Sequence, residues 1–115
     1  MAFVCVESLR SLWSGEMRRV EVGGRAILLV HVAEGVRAYE DRCVHQGVAL
    51  SKGRLSGNTL TCSAHDWEYD ARCGRGINPG STQIRRYAVR VVDDEVCVDP
   101  DLLEAERKGP GADGA

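Results

Sequence analysis

The chain has 115 residues, of which 43% are apolar and 28% are charged, so it is long enough for one small globular domain and too short for two. Its formal net charge of −2 argues against a strongly basic nucleic-acid surface, and no apolar run is long enough to span a bilayer. Residues Met1 to Val6 lack the basic and apolar regions of a secretory signal. We therefore expect a soluble, cytoplasmic protein with neither a membrane nor a nucleic-acid partner.

Short strands separated by turn residues dominate the first forty residues. Gly23-Gly24 lies between two strand-like segments and supplies the positive φ angles of a tight hairpin. In chain order we expect a strand over Ala2–Val6, a helical turn that Ser8 caps and that ends at Trp13, hairpin strands over 17–22 and 25–32, and a strand over 36–40.

The chain then enters a metal-binding pattern, Cys43-Val44-His45, which is followed after sixteen residues by Cys62-Ser63-Ala64-His65. One or two residues separate the ligands of each pair, so both side chains can point inward from one tight loop. Ser56-Gly57-Asn58 makes the spacer a hairpin that returns the second loop opposite the first. Two thiols and two imidazoles fit a structural zinc site or, with iron, the Rieske form of a [2Fe–2S] centre.

The second half of the chain continues as strands and loops. We expect a strand over 67–69, an irregular Gly-rich and Pro-containing loop over 73–80, a hairpin of 84–92 and 95–98 across Asp93-Asp94, and a short helix over 101–108 before a disordered end. Many short strands with turns between them predict an all-β sandwich or barrel. His31 lies in an apolar strand and is predicted to be a strand residue, not a ligand.

Five cysteines cannot all pair with one another. If Cys43 and Cys62 bind a metal, Cys5, Cys73 and Cys97 are left, and in a reducing compartment we expect each of them to be a free thiol.

The ligand pattern, with Asp66-Trp67-Glu68-Tyr69-Asp70 after it, resembles the Rieske-type [2Fe–2S] ferredoxins over Phe3 to Asp99. Gly15-Glu16-Met17, the Cys-x-His-Gln segment and Gly76-Ile77-Asn78-Pro79 are most similar to the ferredoxin components of bacterial toluene and aromatic diiron monooxygenases. The resemblance implies an antiparallel β sandwich with a small cluster-binding subdomain, formed by the two ligand loops and a proline-containing covering loop around Pro79. We expect this domain over residues 1–100, the subdomain over about 41–80, and an acidic, partly disordered tail over 101–115.

Carried onto this sequence, the resemblance implies that Cys43 and Cys62 bind the inner iron of one [2Fe–2S] cluster, and that His45 and His65 bind the outer iron. Respiratory Rieske proteins carry an extra cysteine in each loop and a serine where Trp67 stands here. The absence of these cysteines and of this serine predicts a low-potential ferredoxin, although Tyr69 stands at the family's tyrosine position and can keep one hydrogen bond to the cluster. The residues expected to cover the cluster or to meet a partner are Val44, Gln46, Gly47, Asp66, Trp67, Tyr69 and Pro79.

The expected function is electron transfer and not catalysis. A flavin-containing reductase would be the donor, and the acceptor would be the diiron hydroxylase of an aromatic or alkene monooxygenase. A Rieske aromatic-ring dioxygenase system, a small subunit of a larger reductase and a non-redox zinc-binding module are the alternatives. Glu40, Asp41 and Asp66 near the ligand loops suggest that the partner presents a basic patch.

Overall fold

The computed structural model describes residues 3–44, 47–63, 66–78, 80 and 82–106. Antiparallel strands account for most of this part of the chain, and its short helical segments are 3-10 turns at Leu50–Lys52 and Glu104–Glu106. The strands are β1 (Val4–Ser8), β2 (Met17–Val22), β3 (Arg25–Val32), β4 (Gly35–Glu40), β5 (Arg54–Ser56), β6 (Thr59–Thr61), β7 (Glu68–Asp70), β8 (Gly76–Asn78), β9 (Arg86–Val92) and β10 (Glu95–Leu103).

Six strands form the larger sheet, in the order β1-β10-β9-β4-β3-β2. One face buries an apolar core that includes Leu12, Ile27, Leu29, Tyr87 and Val96. The side chain of Arg18 on β2 forms an ion pair with Glu7 on β1, and it donates to the Ser11 carbonyl at 2.9 Å. This contact joins the two edge strands, so the sheet curls towards a barrel around its core.

The smaller sheet has the order β5-β6-β7-β8. Its strands come between β4 and β9 in the sequence, whereas β4 and β9 themselves pair with each other in the larger sheet. A second core joins the two sheets and contains Leu28 and Val30 of β3 together with Leu60, Tyr69 and both Cys43 and Cys62. Tyr39 of β4 reaches across and donates its hydroxyl to the Ala71 carbonyl at 2.6 Å. The inserted sheet is therefore packed on the outer face of the larger sheet.

The all-β prediction and all three predicted hairpins are confirmed, including the one in the spacer between the ligand pairs, where β5 pairs with β6. Gly23 and Gly24 turn at φ values of 58° and 80°, and Asp93 and Asp94 turn at 51° and 67°. Positive φ at both central residues gives the turn type whose twist matches that of the flanking strands. Aspartate tolerates this conformation better than most residues, which explains why a turn without glycine joins β9 to β10.

The single helical turn that Ser8 is predicted to cap is present, since the Ser8 hydroxyl accepts from the Arg10 amide at 3.1 Å and its carbonyl accepts from the Ser11 and Leu12 amides. Two other local predictions differ from the structure. Residues Gly76–Asn78, expected to be irregular, pair with β7 as β8. Strand β10 continues through Leu103, which pairs with Tyr87, so the helix predicted from Asp101 is replaced by strand and by the 3-10 turn. Residues 107–115 of the predicted tail lie outside the described residues.

The prediction that Cys5 and Cys97 are free thiols is wrong, because the structure joins them in a disulfide with an S–S distance of 2.12 Å. The register of β1 on β10 places the two residues directly opposite each other. Cys73 is half-buried and lies outside this pair. Within the described residues, no helix is long and apolar enough to cross a membrane.

Candidate metal centre

Two matched loops carry the four predicted ligands. In the first, the Cys43 amide donates to the Val48 carbonyl at 2.7 Å, and in the second the Cys62 amide donates to the Trp67 carbonyl at 2.8 Å. Each bond joins residues five positions apart, so each loop spans six residues. The residue before each acceptor has positive φ, which is 71° at Gly47 and 54° at Asp66. The two loops therefore share this backbone hydrogen bond and the positive φ of the residue before its acceptor.

The two thiols are buried in the core that joins the sheets. Cys43 is 1% exposed and Cys62 is fully buried. Gly53, in the segment that connects the two loops, has no space for a side chain, because an added Cβ would lie 1.9 Å from the Thr61 carbonyl oxygen. That carbonyl directly precedes Cys62, so a side chain at position 53 would push the second ligand loop away from the first.

Tyr69 supplies a polar group to this apolar environment. Its hydroxyl lies 3.5 Å from the Cys43 Sγ, within hydrogen-bonding range of sulfur. Burial raises the pKa of Tyr69 far above its usual range, and the adjacent Cys43 sulfur raises it further. The phenol therefore keeps its proton, so its hydroxyl can donate to a Cys43 thiolate.

Asp41 fixes the start of the first loop, although sequence reasoning placed it on the docking surface. That expectation is wrong, since its side chain is completely buried. The carboxylate accepts from both the amide and the hydroxyl of Ser51 at 2.7 Å, and from Arg19 at 3.0 Å. Ser51 lies where the first loop returns to the domain, so Asp41 ties both ends of the loop to each other and to β2. No local feature of the sequence indicates this contact.

The residues predicted to cover the cluster or to dock a partner fall into distinct environments. Val44 is 49% exposed, and Gly47 and Asp66 are also exposed. Trp67 is partly buried against the core that contains both thiols. Tyr69 is completely buried and so cannot touch a docked protein. The predicted residues His45, Gln46, His65 and Pro79 lie outside the described residues. His31 is a strand residue, as predicted, and its Nδ1 lies 2.9 Å from the Leu12 carbonyl oxygen.

Two buried thiols on matched loops, with a protonated phenol against one sulfur, fit the thiolate half of an iron–sulfur centre. Each loop also contains one histidine in its sequence. The fold and these loops thus define a small antiparallel β protein built to hold a metal centre at one end of an inserted sheet.

Comparison with known proteins supports the presence of an iron–sulfur centre. Residues 2–88 match the Rieske [2Fe-2S] domain family. The ferredoxin component of the alkene monooxygenase system of Xanthobacter autotrophicus (strain ATCC BAA-1158 / Py2) is 33% identical over 105 residues, which cover 90% of this chain and 86% of that protein. The chain belongs to the Rieske [2Fe-2S] domain family, whose members carry a Rieske-type [2Fe–2S] cluster.

Two further proteins are similar over nearly their whole length. The biphenyl 2,3-dioxygenase ferredoxin component of Rhodococcus jostii (strain RHA1) is 33% identical over 100 residues, covering 86% of this chain and 94% of that protein. The solved ferredoxin of carbazole 1,9a-dioxygenase from Nocardioides aromaticivorans IC177 superimposes with a TM-score of 0.79 at 26% identity, covering 88% of this chain and all of that one.

Proposed function

We propose that this chain is a Rieske ferredoxin that carries single electrons from a flavin-containing reductase to an oxygenase component, whose substrate is an aromatic or alkene hydrocarbon. The observation that carries the proposal is the pair of matched loops that bury Cys43 and Cys62 beneath an exposed tip. The relatives named as ferredoxin components of oxygenase systems support the choice of acceptor.

Cys43 and Cys62 would hold one iron of the cluster, and His45 and His65 would hold the other, near the surface. The bound cluster would supply a reversible one-electron couple. The chain itself buries the two thiolates, fixes their loops through Asp41 and Ser51, and supplies the Tyr69 hydrogen bond. A carrier needs no substrate cavity, and its contact with each partner must be small enough to dissociate between electrons.

Substitution of the ligands tests this assignment. Cys43→Ser, Cys62→Ser, His45→Ala and His65→Ala should each abolish the Rieske absorption and EPR spectra, while the matched control Cys73→Ser keeps them. A Rieske spectrum that survived any of the first four substitutions would show that the ligand was chosen wrongly.

The acceptor is a diiron monooxygenase hydroxylase in our proposal, with the ferredoxin role in a Rieske dioxygenase system as the second candidate. Relatives of both kinds are 33% identical to this chain, which is why both are kept. Reconstituted turnover with the reductase and oxygenase whose genes lie nearest should depend on this protein. An epoxide or a phenol as product identifies the monooxygenase, and a cis-dihydrodiol identifies the dioxygenase.

A further inference from the structure

Two exposed arginines stand beside the first ligand loop. Arg42 immediately precedes Cys43, and its Nε lies so close to Gly47 that a Cβ added there would come within 3.2 Å of it. The guanidinium of Arg42 therefore lies over the loop. Arg85 is brought alongside by β4, because the Glu40 amide donates to the Arg85 carbonyl at 2.9 Å. Within the described part of the chain, neither arginine has an ion-pair partner.

These two side chains, which we call the arginine ridge, separate two open depressions. One, of about 290 Å³, reaches Cys43 and Val44. The other, of about 460 Å³, is lined by Arg19 and Arg25 as well as by the ridge. Two guanidinium groups therefore line the surface next to the predicted electron exit, and two more line the larger depression beyond them.

The carboxylates around the ridge do not cancel its charge. Asp41 is completely buried and already bonded to Ser51 and Arg19. Glu40 is half-buried and lines both depressions, so one carboxylate stands against the two guanidinium groups of the ridge. Arg25 is partly neutralised by Asp101 at 3.5 Å, whereas the ridge has no such neighbour within the described residues. The surface beside the ligand loop is thus positive, although the whole chain has a net charge of −2.

Three neighbouring carboxylates lie at the opposite end of β9. Asp93, Asp94 and Glu95 are exposed where β9 turns into β10. Strand β9 starts beside Arg85 and has seven residues, which at about 3.3 Å per residue separate the two ends by roughly 20 Å. Strand β9 therefore has two exposed arginines near its start, beside the ligand loop, and three exposed carboxylates at its far end. Such a charge distribution turns an approaching partner's acidic surface towards the ligand loop.

We propose that the arginine ridge docks a carboxylate-rich surface of the oxygenase component, which makes the partner's surface acidic and not basic as the sequence suggested. This inference rests on the proposed function, because it assumes that electrons leave beside Val44. The fork of an arginine side chain pairs with carboxylates in a defined orientation, so the ridge would also set the docking angle.

The sign of charge at the electron exit can be measured with small oxidants of opposite charge. Reduced holoprotein is mixed in a stopped-flow instrument with hexacyanoferrate(III), an anion, or with hexaammineruthenium(III), a cation. Arg42→Glu and Arg85→Glu should each slow oxidation by the anion, and the double variant should slow it roughly tenfold at low salt while speeding oxidation by the cation. These changes should shrink near 0.1 M salt, where the screening length is about 10 Å.

Matched variants separate this effect from damage to the cluster. Arg10→Glu reverses the same charge in the turn at the Asp94 end of the molecule and should leave both rates unchanged. Arg42→Lys and Arg85→Lys keep the charge and should keep the wild-type rates. Because Arg42 adjoins a ligand, each variant's absorption spectrum and midpoint potential are measured first, and Arg85→Glu alone decides the matter if Arg42→Glu loses the cluster.

Competition at constant ionic strength tests whether the arginine ridge binds a carboxylate-rich surface. Polyglutamate should slow oxidation of the wild type by hexacyanoferrate(III), and should have little effect on the double variant. If phosphate blocked the reaction equally well at the same charge concentration, the ridge would be a small-anion site and the docking proposal would be wrong. With the purified oxygenase and reductase, the two electron-transfer steps can be measured separately. If the double variant were reduced more slowly by the reductase but still reduced the oxygenase at the wild-type rate, the docking proposal would also be wrong.

Failure of this inference is distinguishable from failure of the proposed function. Equal rates for wild type and double variant, with an intact Rieske spectrum, would refute the role of the ridge and leave the electron carrier standing. Loss of the Rieske spectrum in the wild-type protein itself would instead remove the proposed function.

Discussion

The hydrogen bond from Tyr69 to Cys43 should raise the reduction potential of the centre, and Tyr69→Phe should lower it. Two ferric ions, two bridging sulfides and two thiolates sum to zero charge, so reduction adds one negative charge to a site that was neutral. A donor that lies 3.5 Å from a ligand sulfur stabilises the reduced form more than the oxidised form. Phenylalanine keeps the ring that fills the core and removes only this donor.

The size of the effect follows from ordinary hydrogen-bond energies. A neutral bond contributes about 1 kcal/mol and a bond to a charged group about 1.5–3 kcal/mol, so the two redox states differ by roughly 1 kcal/mol. Since 59 mV corresponds to a tenfold change in a one-electron equilibrium, the potential should fall by about 40 mV. Protein-film voltammetry on the wild type and on Tyr69→Phe measures this directly.

Tyr39→Phe is the matched control. Its hydroxyl is also buried, but it donates to the Ala71 carbonyl and not to a ligand sulfur. That variant should lose roughly 1 kcal/mol of stability and keep its potential. Equal potentials in the wild type and Tyr69→Phe, or an equal drop in Tyr39→Phe, would refute the reasoning.

Asp41→Ala should destabilise the fold by roughly 2–4 kcal/mol and speed the loss of iron, because it leaves the amide and hydroxyl of Ser51 without their acceptor. Thermal unfolding and iron release to a chelator measure the two effects, and unchanged values would show that the carboxylate does not hold the loop. The double variant Cys5→Ser with Cys97→Ser should lose up to about 4–5 kcal/mol, since the disulfide closes a loop with a sequence separation of 92. It should keep the Rieske spectrum, and urea unfolding identical to that of the wild type would contradict this account. If His45 and His65 bind the cluster as proposed, reduction would add negative charge to their ligand set and favour uptake of a proton there. The potential should therefore fall by about 59 mV per pH unit wherever the reduced form holds one more proton. A potential independent of pH throughout the alkaline range would argue against these ligands.

The features that could be predicted from the sequence are those set by residues close together in the chain. Gly23-Gly24 and Asp93-Asp94 specify hairpins by their own backbone preferences. Each ligand pair lies within four residues, so its chemistry is readable without the fold. The class of site and the all-β architecture were accessible for this reason.

What could not be predicted depends on pairing between distant segments. Cys5 meets Cys97 because the first strand pairs with the last, and redox compartment alone argued against the bond. Asp41 was assigned to the surface because nothing local shows that Ser51 and Arg19 surround it. The arginine ridge has the same origin, since β4 brings Arg85 beside Arg42.

The central claim is that two cysteines and two histidines of this chain hold one [2Fe–2S] cluster. The most direct test is metal and sulfide analysis of the purified protein, combined with pulsed EPR of the reduced form labelled with ¹⁵N-histidine. The account predicts about two irons and two acid-labile sulfides per chain, with strong hyperfine coupling to two histidine nitrogens. One zinc without sulfide, or a cluster without histidine coupling, would contradict it.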